Sequence, residues 1–256
     1  ILRAHPAAHV AAIREAAPDT GWRSLDSDTH MSVGTLEAAF RCVGGIVHAV
    51  DMVLGGEAPN AFVAMRPPGH HAERETPMGF CFFGNVAIAA KHALDHHGLD
   101  RVAIVDFDVH HGNGTQDLVE HDPRILFCST HQMPLFPGTG TPDETGVGNV
   151  LNCPLPEGAG STAFRDVIER MVLPRLDTFT PQLLIISAGF DAHKDDPLAG
   201  MNLVEADFVW ITEKLCDLAD RHCDGRVVSS LEGGYDLRAL GASVAAHVNV
   251  LKDRAR

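Results

Sequence analysis

The stretch that decides the fold is RVAIVDFDVHHGNGTQ, residues 101–116. Its short apolar run, Val102-Ala103-Ile104-Val105, predicts a buried strand. Side chains of an extended chain alternate between two faces, so Asp106, Asp108 and His110 fall on the same face at the strand's end. Two carboxylates and an imidazole are poor core residues, because burying unpaired charge is very costly. A bound metal is the simplest remedy, and a hydrogen-bonded turn is the alternative. The turn Gly112-Asn113-Gly114 follows.

Outward from this strand, further apolar runs predict strands at 61–65, 124–130, 150–154, 183–187 and 226–231. Helical spacing or composition predicts helices at 1–17, 32–54, 85–97, 117–121, 161–179, 205–223 and 237–252. Ser32 offers an N-cap to the second of these, Gly98 ends the third, and Pro174 is expected to kink the fifth. Residues 18–30 read as a polar loop. Strands that are continuously apolar and alternate with helices imply an α/β fold, with a parallel sheet covered on both faces. There is no linker and no internal repeat, so residues 1–256 are expected to form one domain.

Composition narrows the function. A formal charge of -14 argues against a nucleic-acid surface. No apolar run approaches the roughly 18 residues of a membrane span, and no signal-peptide pattern is present. The six cysteines (Cys42, Cys81, Cys128, Cys153, Cys216, Cys223) form no CxxC pair, which predicts buried, reduced thiols and a cytoplasmic setting. Of the sixteen histidines, His5, His9, His48, His222 and His247 are scattered and read as surface or satisfied core residues. The chain opens on Ile1, inside a stretch that reads as helix, which suggests a fragment or a trimmed protein.

Five predicted strands run into loops rich in polar, glycine or aromatic residues, starting at Arg66, Asp106, Thr130, Gly189 and Glu232. In an open parallel sheet, ligands bind outside the carboxyl ends of the strands, so these loops are expected to meet. They supply Asp106, Asp108 and His110, then Asp191 with His193, the pair His70-His71, and Tyr235. These are parts for metal-assisted hydrolysis. A catalytic zinc takes three protein ligands and keeps a position for water. A neighbouring histidine can take a proton, and a phenol can donate to an oxyanion. There is no GxSxG motif and no cysteine in a catalytic context, which disfavours a covalent nucleophile.

Six segments then point to a known family: RPPGHHA (66–72), GFCFFGNVAIAA (79–90), DFDVHHGNGTQ (106–116), FPGTG (136–140), SAGFDAHKDDPLAG (187–200) and LEGGYDL (231–237). In this order they resemble the zinc-dependent histone deacetylase family, on the side of the class II and bacterial deacetylase-like amidohydrolases and their acetylpolyamine-hydrolysing relatives. The likeness covers nearly the whole chain. It implies the three-layer arginase–deacetylase α/β fold, with a mainly parallel central sheet of about eight strands between helices.

The resemblance also implies roles. Asp108, His110 and Asp191 match the zinc ligands, and the same donors suit Fe2+. His71 matches the general base and His70 its largely protonated partner, with Asp106 holding His70 and Asn113 contacting His71. Tyr235 matches the residue that polarises the substrate carbonyl. Phe80 and Phe136 match the aromatics around the acyl-lysine stem, beside Gly79, and Asp28 in DSDT (26–29) matches a rim acid that binds the substrate backbone. Leu198 stands where a polyamine-selective relative carries Glu. A structural potassium ion is implied at Asp106, Ser129 and the backbone of Asp108, His110 and Thr130. The family's opening strand and its His-, Pro-, Glu- and Arg-rich segment have no counterpart ahead of Ile1, and Gly84 replaces a common Asn.

The expectation is a metal-dependent amidohydrolase that removes acyl groups from N-acyl-lysine in proteins or peptides. Oligomers are compatible with the sequence, and neither nucleic acid nor membrane is expected as a partner. The rivals are a small N-acyl amine or acetylpolyamine hydrolase, a two-manganese ureohydrolase, and a non-catalytic acyl-lysine binding module. Phe107 and Val109 leave only a one-metal ligand set, which disfavours the ureohydrolase.

Overall fold

The computed structural model describes residues 1–255. In chain order its elements begin with α1 (Ala7–Ala16), β1 (Trp22–Ser24), β2 (His30–Ser32), α2 (Thr35–Leu54), β3 (Asn60–Val63), α3 (Asn85–His97) and β4 (Val102–Asp106). There follow α4 (Asn113–Val119), β5 (Ile125–Gln132), β6 (Val150–Leu155), α5 (Ser161–Val167), α6 (Leu173–Phe179), β7 (Leu183–Ala188), α7 (Glu205–His222), β8 (Val227–Leu231) and α8 (Leu237–Arg254).

Six strands form one sheet in the order β3-β8-β7-β4-β5-β6, and every pairing in it is parallel. β4, the strand that leads into the acidic turn, lies at the centre and is buried along its whole length. The alternation of strand side chains divides the core in two. Val102, Ile104, Ile125, Phe127 and Ile185 face one cluster with residues of α1, α2 and α3. Ala103, Val105, Leu126, Leu184 and Ile186 face the other, with residues of α5, α6, α7 and α8. Both faces are therefore covered, which explains why these strands read as unbroken apolar runs.

Because all six strands run the same way, their carboxyl ends share one edge. Long strand-end loops gather there and position the site. Asp106 closes β4 in register with Ser129 of β5 and Ser187 of β7.

The sheet has six strands rather than about eight, α4 begins at Asn113 rather than at 117, and four further local expectations need correction. The stretch read as a polar loop at 18–30 contains β1, which pairs antiparallel with β2 in a small separate hairpin. Helix α1 starts only at Ala7, after Pro6. Helix α2 is capped by Gly34 in a left-handed conformation, while the Ser32 main-chain N–H donates to Thr35 Oγ1 (2.9 Å). The helix at 161–179 is interrupted by a π-helical turn, Ile168–Val172, just ahead of Pro174. Proline cannot donate to the carbonyl four residues back and its ring crowds that carbonyl, so the distortion falls upstream of it.

Candidate active site

The acidic stretch after β4 is not an extended strand. Asp106 Oδ1 accepts the N–H of Asp108 (3.1 Å), and Asp108 Oδ1 accepts the N–H of His110 (2.9 Å). Each carboxylate thus bonds the main chain two residues on, in successive Asx turns. The intervening side chains Phe107 and Val109 pass into the core beneath. The D-x-D-x-H spacing lets one short segment fold tightly and still keep its polar groups together.

Those groups meet Asp191 from the loop after β7. His110 Nδ1 lies 3.2 Å from Asp108 Oδ1 and 3.2 Å from Asp191 Oδ2. One candidate ligand atom from each of Asp108, His110 and Asp191 falls within 4.8 Å of the others. Remote main-chain donors fix the carboxylates: Gly233 N–H to Asp108 Oδ2 (2.9 Å) and Val109 N–H to Asp191 Oδ1 (2.9 Å). Both carboxylates are completely buried. Burial disfavours the charge on His110, but its hydrogen bonds to Asp108 and Asp191 outweigh it and push its pKa up to about 10. Burial and the neighbouring Asp108 charge push the Asp191 carboxyl up to about 7. The cluster therefore retains protons near neutrality that a dication would displace, as metal sites do on binding. One imidazole and two carboxylates in this arrangement suit a catalytic zinc with a position left open.

The histidine pair arrives on the loop after β3. His70 Nδ1 donates to Asp106 Oδ2 (3.1 Å), and its Nε2 lies 3.8 Å from Asp108 Oδ1. Burial alone would lower the His70 pKa, but Asp108 and Asp106 raise it well above the ordinary value. His71 behaves in the opposite way: burial, then the charge of His70, depress it. Asn113 Nδ2 donates to Glu73 Oε1 (2.8 Å), so its Oδ1 is the acceptor for His71 Nδ1–H (2.7 Å). That contact fixes the tautomer and leaves Nε2 of His71 with its lone pair. Two adjacent histidines thus sit on opposite sides of neutrality, one charged and one a neutral base.

A pocket of about 240 Å³ opens onto these groups, lined by Asp28, His71, Gly79, Phe80, His110, Leu135, Phe136, Leu198 and Tyr235. The Phe136 ring meets His71 edge-on (5.1 Å) and Phe80 meets Tyr235 at 6.0 Å. Gly79 is required here: its φ is +55°, and a Cβ on it would come within 2.4 Å of the His71 ring. Phe80 also has positive φ (68°), and it is held by donation of its N–H to Thr29 Oγ1 (3.2 Å). Asp28 Oδ1 accepts the Gly79 N–H (3.2 Å), so the loop carrying Asp28 clamps this turn. Burial and the nearby Asp108 and Asp191 charges raise the Tyr235 phenol, keeping it protonated.

Larger cavities, of about 760, 500 and 400 Å³, lie on or beside α2, the last sharing Asp28 and Phe80 with this pocket. The smaller, deeper pocket is the one that adjoins the titratable groups, which matters more for chemistry than size.

The sequence left several contributing residues without a role. Glu232 is fully buried and receives Gly69 N–H (2.7 Å), His70 N–H (3.2 Å) and Ser187 Oγ–H (2.9 Å), so it anchors the histidine loop. Burial pushes its carboxyl up to about 7. Asp196 Oδ2 accepts the Tyr235 N–H (2.7 Å), and Glu73 orients Asn113. Glu232 had one signal, an acid directly after a strand. Glu73 and Asp196 had none, because they act through contacts that only the fold creates. His193, grouped with Asp191 in the sequence, is buried and accepts the Asp195 N–H (3.1 Å), apart from the ligand cluster.

Known proteins resemble this chain along nearly its whole length. The histone deacetylase domain family matches residues 1–251. "Histone deacetylase 10, chloroplastic" of Oryza sativa subsp. japonica is 45% identical over 226 residues, covering 85% of this chain and 51% of that protein. "Histone deacetylase-like amidohydrolase" of Pseudomonas aeruginosa is 43% identical over 240 residues, covering 92% of this chain and 63% of that protein. The chain thus spans about half to two thirds of the length of these relatives. The solved HD domain of HDA15 superposes with a TM-score of 0.93 at 37% identity, covering 98% of this chain and 71% of that one. With its parallel sheet, its strand-end site and a match along nearly its whole length, the chain belongs to the histone deacetylase family.

Proposed function

We propose that this chain hydrolyses N-acyl amides, with N-acetyl-lysine in proteins or peptides as its substrate class. The observation that carries this reading is a single pocket lined at once by His71, His110, Tyr235, Phe80 and Phe136. Asp108, His110 and Asp191 would hold zinc, and Fe2+ suits the same donors. When bound, such an ion polarises the amide carbonyl and lowers the pKa of a water to about 7.

The chain's own groups do the rest. His71, neutral and oriented by Asn113, takes the water's proton at Nε2. His70 stays protonated against Asp106 and aids protonation of the leaving amine. The Tyr235 phenol donates a hydrogen bond to the carbonyl oxygen as charge develops there. Phe80 and Phe136 enclose the aliphatic stem. Asp28 uses Oδ1 for Gly79 and Thr29, which leaves Oδ2 for a substrate main-chain N–H. Leu198, exposed at the rim, offers no charge to a second ammonium, which favours acyl-lysine over an acylated polyamine.

A potassium ion fits beside this centre, at Asp106, Ser129 and the main chain of Asp108, His110 and Thr130. Supporting it, Asp106 and Ser129 are register partners whose side chains are completely buried. All six cysteines are free and buried, which fits a reducing compartment such as the cytoplasm. No helix of the described residues is long and apolar enough to cross a membrane.

The test is acetate release from acetyl-lysine peptides and from acetylputrescine by zinc-loaded protein. Faster turnover per unit concentration on the peptides is expected. Preference for acetylputrescine would move the assignment to small amines, and no acetate from any acyl-lysine substrate would replace the enzyme with a binding module.

A further inference from the structure

A second ligand cluster lies at the far end of α3. Asp51 comes from α2, and His92, His96 and His97 come from the C-terminal part of α3. Asp51 Oδ1 lies 2.6 Å from His92 Nε2 and 2.7 Å from His97 Nε2. His96 is exposed, yet its ring stacks flat on His92, with centroids 4.8 Å apart and planes at 16°. One candidate ligand atom from each of the four residues falls within 4.8 Å of the others.

The spacing follows from the helix. Residues four apart share a face, which places His92 and His96 one above the other, and His97 flanks them toward α2. The sequence carries this as HALDHH, residues 92–97, immediately before the Gly98 stop. Three imidazoles and one carboxylate form a mixed N/O set that suits a four-coordinate zinc-type ion. Four ligand atoms around such an ion lie about 3.4 Å apart, so small rotamer changes from the present arrangement close the shell. A hydrogen-bonded pair explains Asp51 with His92 and His97 but leaves the stacking of His96 without a purpose. The C-terminal carbonyls of α3 add partial negative charge at this end, which also favours a cation. The neighbouring Asp95 carboxylate faces away, toward Arg3 and Arg124.

We propose that Asp51, His92, His96 and His97 form a second metal site, which takes a divalent ion of the zinc class and clips the C-terminal end of α3 to α2. It is separate from the candidate active site. Asn85, at the other end of α3, donates to the Pro67 carbonyl (3.3 Å) in the loop that carries His70 and His71. Along the helix axis, His96 lies about 16 Å from Asn85. The site's role is structural, and it does not depend on the proposed reaction.

The experiment is metal stoichiometry of the untagged chain, by elemental analysis after equilibrium dialysis against buffered zinc at pH 7.5. About two zinc ions per chain are expected, falling to about one in His96→Ala/His97→Ala, with deacylation turnover and fold unchanged. Asp108→Asn/Asp191→Asn is expected to keep about one ion, bound through the α3 cluster. A wild-type value of one that is unaffected by His96→Ala/His97→Ala overturns the proposal, as does a value of two that the double variant retains. If the Asp108 and Asp191 variant fails to fold, electron paramagnetic resonance of the chain loaded with Cu2+ decides. Nitrogen hyperfine structure from several imidazoles, weakened by His97→Ala, supports the site, and a spectrum indifferent to that change refutes it.

Discussion

Gly233→Ala probes the two buried carboxylates at once. A Cβ on Gly233 would lie 2.2 Å from Asp191 Oδ2 and 2.7 Å from Asp108 Oδ2. Real Cβ contacts are essentially never shorter than 3.0 Å, so Asp191 must retreat by roughly 1 Å or the Gly233 main chain must shift. A shift of the main chain disturbs the N–H that Asp108 Oδ2 receives (2.9 Å). Metal–ligand distances tolerate only about 0.2 Å, so either response degrades the ligand set. We expect zinc affinity to fall about 10- to 100-fold, the range for losing a partner that orients a ligand. The general overpacking cost is about 1–3 kcal/mol, which leaves the fold intact. Gly44→Ala is the control. On the exposed side of α2 its Cβ meets nothing within 4 Å, so it should leave affinity unchanged and gain up to about 1 kcal/mol in stability. Competition against a fluorescent zinc chelator measures both. A Gly233→Ala affinity within threefold of wild type would refute the joint role of Asp108 and Asp191 as ligands.

Two further outcomes follow from the same structure. Tyr235→Phe removes the phenol proposed to donate to the carbonyl but leaves the ligand cluster alone. Its turnover on an acetyl-lysine peptide is expected to fall about 10²–10³-fold with zinc stoichiometry unchanged, and near-normal turnover would remove Tyr235 from the chemistry. His247 is buried between Thr212 Oγ1 (2.7 Å) and Ser229 Oγ (2.9 Å), and burial lowers its pKa to about 3. The unfolded chain takes up a proton on this residue below about pH 6.5 while the folded chain does not, so its contribution to stability is full above that pH and is lost on acidification. Wild type should lose about 1.4 kcal/mol per pH unit more than His247→Gln between pH 6 and pH 4. Urea unfolding across that range checks it, and parallel slopes for the two proteins would contradict the assignment of a neutral, buried imidazole.

Some of this is legible in the sequence and some is not. The end of α3 at Gly98 was clear, because a glycine in the left-handed region closes a helix cheaply. The strands of the sheet were clear because burial on both faces leaves an unbroken apolar signature. The hairpin of β1 and β2 was not. Its strands are three residues long, β1 is exposed throughout, and only main-chain pairing holds them, which leaves no periodicity to read. At the site, the acidic stretch Asp106, Asp108 and His110 stood out because charges so placed demand a partner, whereas Asp191 joined them as a ligand only through the family resemblance. The turn and the metal, posed as alternatives for the acidic stretch, turn out to be compatible. The Asx turns use Asp106 Oδ1 and Asp108 Oδ1, and Asp108 belongs to the candidate ligand set as well. Glu232 was invisible in its true capacity, since it binds main-chain groups 163 and 162 residues away.

Two other long tethers, those on the proposed ligands, bear on when the chain could take up an ion. Asp108 takes its donor from Gly233, 125 residues later, and Asp191 takes one from Val109, 82 residues earlier. A chain emerging from the ribosome has every proposed ligand in hand once Asp191 is out. It still lacks β8 and the Gly233 N–H that steadies Asp108. Capture of the ion is therefore a late step, gated by the sheet's completion, and non-local pairing of this kind is slow to form. Once the strand is in place, the ion binds only the finished fold and pulls the equilibrium toward it by mass action. Occupancy of the proposed site would then report the fraction of molecules that have reached the native state, and cells short of its ion should accumulate chains more open to proteolysis.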